Sequence, residues 1–136
     1  MAETLINEPV LLDTDVLIDY LNGKDHARQQ ILAISADRCL LSDITVMELY
    51  AGCIDKKEYQ AFEKNLRDFT VIHLSSMTSM EAMKLVKEYC LSHSVDVPDM
   101  LNAALSLEYG LTLFTYNIKD YKHIPAIRLY ANYRKV

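Results

Sequence analysis

Glycine and proline are scarce in this chain, with three of each among 136 residues. That scarcity excludes a glycine-rich phosphate loop, low-complexity tracts and flexible linkers, and it predicts short connections. Cysteine is scarce as well. Cys39, Cys53 and Cys90 are an odd number without paired spacing, which argues against a disulfide framework and against a thiolate zinc site. Each lies in an apolar pattern, so buried and inert thiols are expected. The four histidines, His26, His73, His93 and His123, show no metal-ligand spacing. No serine sits in a nucleophile elbow. Positive charge is in deficit too: 14 Lys and Arg face 19 Asp and Glu, for a net charge of −5. A nucleic-acid binder usually carries a basic footprint. No apolar run approaches the roughly 18 residues of a membrane span. The start, Met1-Ala2-Glu3-Thr4, lacks the charged region of a secretory signal, so the cytoplasm is the expected compartment.

What is present is a hydrophobic half, 51% of the residues, and a regular alternation of short apolar runs with helical patterns. One domain over 1–136 is expected from length. Val10-Leu11-Leu12 reads as a buried strand, followed by a helix through Leu21 that stops at Asn22-Gly23. His26 to Ile34 is helical, and Arg38 to Ser42 is a second strand. Thr45 opens a helix that ends near Gly52. Tyr59, Phe62, Leu66 and Phe69 form one helical stripe. Val71 to Leu74 is a third strand, and Met80, Met83, Val86 and Cys90 mark another helix face. Pro98 suits the first turn of a helix running to about Tyr109 and closed by Gly110. Leu111 to Thr115 is a fourth strand, and Ile127 to Tyr130 a fifth. Such alternation predicts an α/β fold with a parallel sheet covered on both faces.

In open parallel sheets ligands bind at the carboxyl ends of the strands. Four acids are sent there. Asp13 follows the first strand, and Glu48 lies early in the helix after the second. Asp99 lies in the first turn of the helix leading into the fourth strand, and Asp120 in the loop after it. Two unit charges about 4 Å apart repel by roughly 1 kcal/mol in water and roughly 4 kcal/mol at an effective dielectric near 20. Four together call for protons or a divalent cation, and all-oxygen ligands suit Mg²⁺ or Mn²⁺.

Each acid also has a plain structural reading. Asp13 can cap a helix. Thr45-x-x-Glu48 matches a capping box. Asp99 favours the helix dipole, and Asp120 can be a surface acid. Asp15 can orient Asp13 or a metal-bound water. Asp19, one turn on, is expected in solvent, and Asn102, one turn beyond Asp99, is a candidate hydrogen-bond partner. From Lys119 onward lie Lys119, Lys122, Arg128, Arg134 and Lys135, with Asp120 the only acid. Tyr116, Tyr121, Tyr130 and Tyr133 interleave with them. They can stack on unpaired bases or simply pack an edge strand.

These stretches together resemble the PIN-domain ribonucleases of the VapC toxin type. The carriers are Leu11-Leu12-Asp13-Thr14-Asp15-Val16-Leu17-Ile18, Ser42-x-x-Thr45-Val46-x-Glu48-Leu49-x-x-Gly52, Val97-Pro98-Asp99-x-Leu101-x-Ala103-Ala104, and Gly110-Leu111-Thr112-Leu113-Phe114-Thr115-x-Asn117-x-x-Asp120-Tyr121. The resemblance spans nearly the whole chain. It implies a three-layer α/β/α PIN-like fold with a central, mostly parallel sheet of four to five strands. It also implies metal-dependent RNA cleavage, a homodimer and a cognate antitoxin. By position, Asp13, Glu48, Asp99 and Asp120 match the acidic cluster, and Thr14, Asp15, Thr115 and Asn117 match its supporting polar residues. Asp15 stands where Asn or Ser is common, and Asn102 replaces a more usual apolar residue. Asn117 stands where some relatives carry an acid, so either Asp120 supplies the fourth carboxylate or the cluster has three.

The expected activity is therefore that of an endoribonuclease. Asp13, Glu48 and Asp99 would hold one or two Mg²⁺ or Mn²⁺ ions, and Asp120 would complete the cluster. Lys119, Lys122, Arg134 and Tyr116 are the candidates for contact with RNA. Two alternatives remain. Asp13-Thr14-Asp15 also fits the start of a haloacid dehalogenase-like phosphatase, with Asp13 as nucleophile and Asp15 as general acid. The same fold can also serve as an inactive scaffold that binds RNA or protein.

Overall fold

The computed structural model describes residues 8–130. Five strands form one sheet: β1 (Val10–Leu12), β2 (Cys39–Ser42), β3 (Thr70–Ile72), β4 (Thr112–Phe114) and β5 (Arg128–Leu129). Their order is β3-β2-β1-β4-β5, and every pairing is parallel. All the strands therefore end at one edge of the sheet. The helices are α1 (Thr14–Leu21), α2 (Asp25–Ile34), α3 (Asp43–Ala51), α4 (Lys56–Asn65), α5 (Ser76–Tyr89) and α6 (Val97–Tyr109).

Side-chain alternation along the short strands divides the interior in two. Val10 and Leu12 face one way, into a cluster with Val16 and Leu17 of α1, Ile31 and Ile34 of α2, and Leu49 of α3. Leu11 faces the other way, into a cluster with Ala82 and Leu85 of α5 and Met100, Ala103 and Ala104 of α6. Helices α1 to α4 thus cover one face and α5 with α6 the other. This is the three-layer α/β/α arrangement the sequence predicts. A three-residue strand buried on both sides has no polar position to spare, which is why β1 reads Val-Leu-Leu.

Several expectations need correction. Helix α3 begins at Asp43, capped by Ser42, whose Oγ accepts from the Thr45 N–H at 3.1 Å. The capping box expected between Thr45 and Glu48 does not form, because a better cap stands three residues earlier. Cys39 is buried, and burial pushes its thiol up to about 12. Cys53 is only half-buried and Cys90 is exposed. Met80 and Met83 stand out in solvent at 59% and 54% exposure, while Thr78, Ala82 and Leu85 form the buried side of α5. Asp19 is half-buried and meets His26 Nε2 at 2.8 Å rather than facing water.

No helix among the described residues is long and apolar enough to cross a membrane.

Candidate active site

The site grows from the end of β1. The Asp13 N–H continues the β1–β4 ladder, donating to the Phe114 carbonyl at 2.8 Å. The chain then turns into α1, and Asp13 becomes its cap, Oδ1 accepting from the Thr14 N–H at 2.9 Å. The structural reading of Asp13 is therefore correct, but it describes one bond of four. Asn102 Nδ2 donates to the same oxygen at 3.3 Å. Thr115 Oγ1 and the Tyr121 hydroxyl each donate to Oδ2 at 2.9 Å. Asp13 is 5% exposed. A carboxylate buried without donors is costly, and a carboxylate offers about four lone-pair sites. Here a protein donor meets each.

The donors are themselves held. Asn102 is fully buried, and its Oδ1 accepts from Ser42 Oγ at 2.6 Å while its Nδ2 also reaches Thr45 Oγ1 at 3.2 Å. Thr115 Oγ1 accepts from the Asn117 N–H at 3.1 Å. Asp15 acts as a staple. Its Oδ1 accepts from the Val16 N–H at 2.8 Å and its Oδ2 from the Tyr116 N–H at 3.1 Å, tying α1 to the segment after β4. A carboxylate held as an acceptor on both oxygens is poorly placed to act as the general acid of a phosphatase.

Asp99 lies at the third position of α6, within its first turn. The side chain of Asp96 caps that helix, accepting from the Asp99 N–H at 3.2 Å. The parallel sheet and the direction of α6 bring Asp99 to the strand ends. Its carboxyl is pushed up to about 7. Burial is the main cause, followed by the charges of Asp13, Asp96 and Asp120, while a hydrogen bond from Tyr121 pulls the other way. Asp120, in a single 3₁₀ turn over Ile118–Asp120, is half-buried. Asp13, Asp99 and Asp120 thus share one electrostatic neighbourhood, as their strand positions predict.

Glu48 joins differently. It is exposed on the second turn of α3, and Thr14 Oγ1 donates to its Oε1 at 2.8 Å. Thr14 also lies 3.1 Å from Thr45 Oγ1, so a relay of hydroxyls connects Glu48 with the network around Asp13. Ser42, Thr45 and Tyr121 were not among the expected site residues. Ser42 and Thr45 do fall inside the stretch that carries the family resemblance. Tyr121 was read as an aromatic for stacking or packing. It is fully buried, with its hydroxyl on Asp13.

The other RNA-contact candidates separate by burial. Lys119 and Lys122 are exposed. Tyr116 is half-buried, edge-on to His26 and Phe114 at centroid distances of 5.5 Å and 5.7 Å. Tyr130 is buried. Packing accounts for these two tyrosines without nucleic acid. Tyr133, Arg134 and Lys135 lie outside the described residues.

The donor set fits a hard divalent cation in charge and in kind, since oxygen is the only ligand atom offered. The repulsion that adds to burial in lifting Asp99 is the repulsion such a cation relieves. Among the described residues no three candidate ligand groups already stand together as a ready cage. Glu48 is turned toward Thr14, and the lone pairs of Asp13 are engaged by the protein itself.

A family model described as PIN domain matches residues 10–126. A toxin–antitoxin complex from Klebsiella pneumoniae is similar in structure, with 30% identity, a TM-score of 0.74, and coverage of 87% of this chain and 94% of the other. A DNA-bound VapBC from Salmonella typhimurium gives a TM-score of 0.80 at 22% identity, covering 90% and 97%. VapC20 of Mycobacterium tuberculosis, described as a toxin cleaving the sarcin-ricin loop, gives 0.68 at 13% identity, covering 85% and 95%. No curated protein sequence matches. The family returned is the one that the four sequence stretches resemble.

Proposed function

This chain belongs to the PIN-domain family, and from that premise we propose that it is a metal-dependent endoribonuclease, the toxin of a toxin–antitoxin pair. The observation that carries the proposal is the convergence of Asp13, Asp99 and Asp120 at the carboxyl edge of the sheet, where burial, and after it the charges of neighbouring acids, pushes Asp99 up to about 7. Repulsion of this kind is maintained at functional sites more often than in passive scaffolds.

Asp13, Glu48, Asp99 and Asp120 would hold Mg²⁺ or Mn²⁺. When bound, such an ion supplies hydroxide near neutral pH by lowering the pKa of its water, and it offsets charge on the phosphate. The chain's own residues do the rest. Asn102 and Thr115 fix the Asp13 carboxylate in one orientation. Thr14 aims Glu48. Asp15 anchors the segment that carries Thr115. Lys119 and Lys122, exposed on either side of Asp120, are placed to hold phosphates and so keep the RNA backbone over the acids.

Structures similar to this chain are toxin–antitoxin complexes, so the proposal includes a cognate antitoxin that covers the site. It also includes a homodimer, which light scattering tests by mass. The activity is tested by incubating purified protein with total RNA and Mg²⁺ or Mn²⁺, then with EDTA, beside the Asp13→Asn variant. Discrete cleavage that needs both metal and Asp13 is the expected result. Folded protein free of antitoxin that cuts nothing would leave the binding scaffold as the better reading.

A further inference from the structure

The four donors on Asp13 are not equally committed. The Thr14 N–H is backbone at the start of α1. Asn102 is tethered by Ser42 at 2.6 Å and by Thr45 at 3.2 Å. Thr115 is held from its other side by the Asn117 N–H at 3.1 Å. Tyr121 differs. Its ring is fixed, with no exposed surface, but a second carboxylate, that of Asp99, lies within hydrogen-bond reach of its hydroxyl.

A phenol has one proton to donate. Rotation about the Cζ–O bond carries that proton from Asp13 to Asp99 while the ring stays in place. The site thus contains a small rotor between two acids. An incoming cation needs a lone pair on Asp13, and every lone pair is taken.

We propose that the Tyr121 hydroxyl is a placeholder for the cation on Asp13. Its proton covers the Oδ2 lone pair that the metal takes, and it turns to Asp99 when the metal arrives. Tyr121 is a positioning residue in this scheme, acting through Asp13. The inference rests on the metal-dependent reading above. In the metal-free protein the hydroxyl donates to Asp13 Oδ2 at 2.9 Å. With metal it steps aside, and the coordination site opens without backbone movement.

The test is Mn²⁺ titration, followed by electron paramagnetic resonance of the free ion, on wild type and Tyr121→Phe. Removing a competing charge-assisted hydrogen bond should tighten Mn²⁺ binding by about tenfold. A residue that merely supports the fold would weaken binding when truncated. Equal or weaker binding by the variant therefore overturns the placeholder role while leaving the metal reading in place. Absence of Mn²⁺ binding in both proteins overturns the metal reading and the placeholder with it. Should the variant not fold, wild type labelled with ¹³C at the tyrosine ζ carbons answers the same question. The Tyr121 resonance should shift with Mg²⁺ and saturate with binding, and an unmoved resonance under saturating Mg²⁺ overturns the inference.

Discussion

Asp13 and Glu48 sit at the carboxyl ends of adjacent strands and are built in opposite ways. Asp13 is buried and takes a hydrogen bond from each of four donors. Glu48 is exposed and accepts from a single threonine hydroxyl. One carboxylate is part of the protein's interior, whose loss disturbs the fold. The other stands exposed on the surface of α3. The acids thus divide between a buried wall of β1, β4 and α6 and an exposed wall of α3. Asp99, raised first by burial and then by the charges beside it, belongs to the buried wall.

The sharpest way to break this contrast is Asp13→Asn. Cleavage should fall by on the order of 10³. An amide cannot accept at all four positions, so the variant should also lose about 1–3 kcal/mol of stability, read by urea unfolding. Full stability would show the four donors to be weaker than their distances imply. Glu48→Gln should reduce cleavage by roughly 100-fold while unfolding within about 0.5 kcal/mol of wild type. A large loss of stability there would erase the distinction between the two walls. Asn102→Leu should act between the two. It removes one donor from Asp13 and takes from the Ser42 hydroxyl its 2.6 Å acceptor. A 10–100-fold loss of metal affinity is the usual scale for such supporting residues, measured by calorimetry.

The smallest effect is a pH dependence. Burial, and after it the neighbouring acids, pushes the folded-state pKa of Asp99 up to about 7, well above the ordinary carboxylate value of about 4. Between those values the folded protein holds a proton that the unfolded chain has released. Stability of the metal-free protein should therefore fall as pH rises from about 4 to about 7, by the linkage relation. Added Mg²⁺ should reverse the slope near its upper end, since the ion needs Asp99 ionised and displaces its proton. Thermal melts across this range with and without Mg²⁺ check both signs. A metal-free protein that gains stability steadily up to pH 7 would contradict the placement of Asp99.

The strands and helices were legible because their signals are local. Val10-Leu11-Leu12 has no polar face to offer, and Pro98 with Gly110 brackets α6. The position of Asp13, Asp99 and Asp120 followed from strand ends and helix direction alone. What sequence could not show was orientation. Ser42, a better cap than Thr45, shifts the start of α3 and sends Glu48 toward Thr14. Met80 and Met83 look like a core stripe, yet α5 is rotated so that Ala82 and Leu85 pack inward. Tyr121 looks like any aromatic beside basic residues. Its importance lies in where one hydroxyl points, which is decided by contacts between Asp13 and a residue 108 positions away.

That last separation has a bearing on how the protein is made. The β1 strand leaves the ribosome first, but its partner on one side, β4, begins at Thr112. Thr115 and Tyr121 follow later still. A growing chain therefore carries Asp13, Thr14 and Glu48 well before the groups that hold Asp13 in place. Non-local pairing of this kind is slow to form. The network around Asp13 therefore closes only after β4 and the turn that follows it have been made.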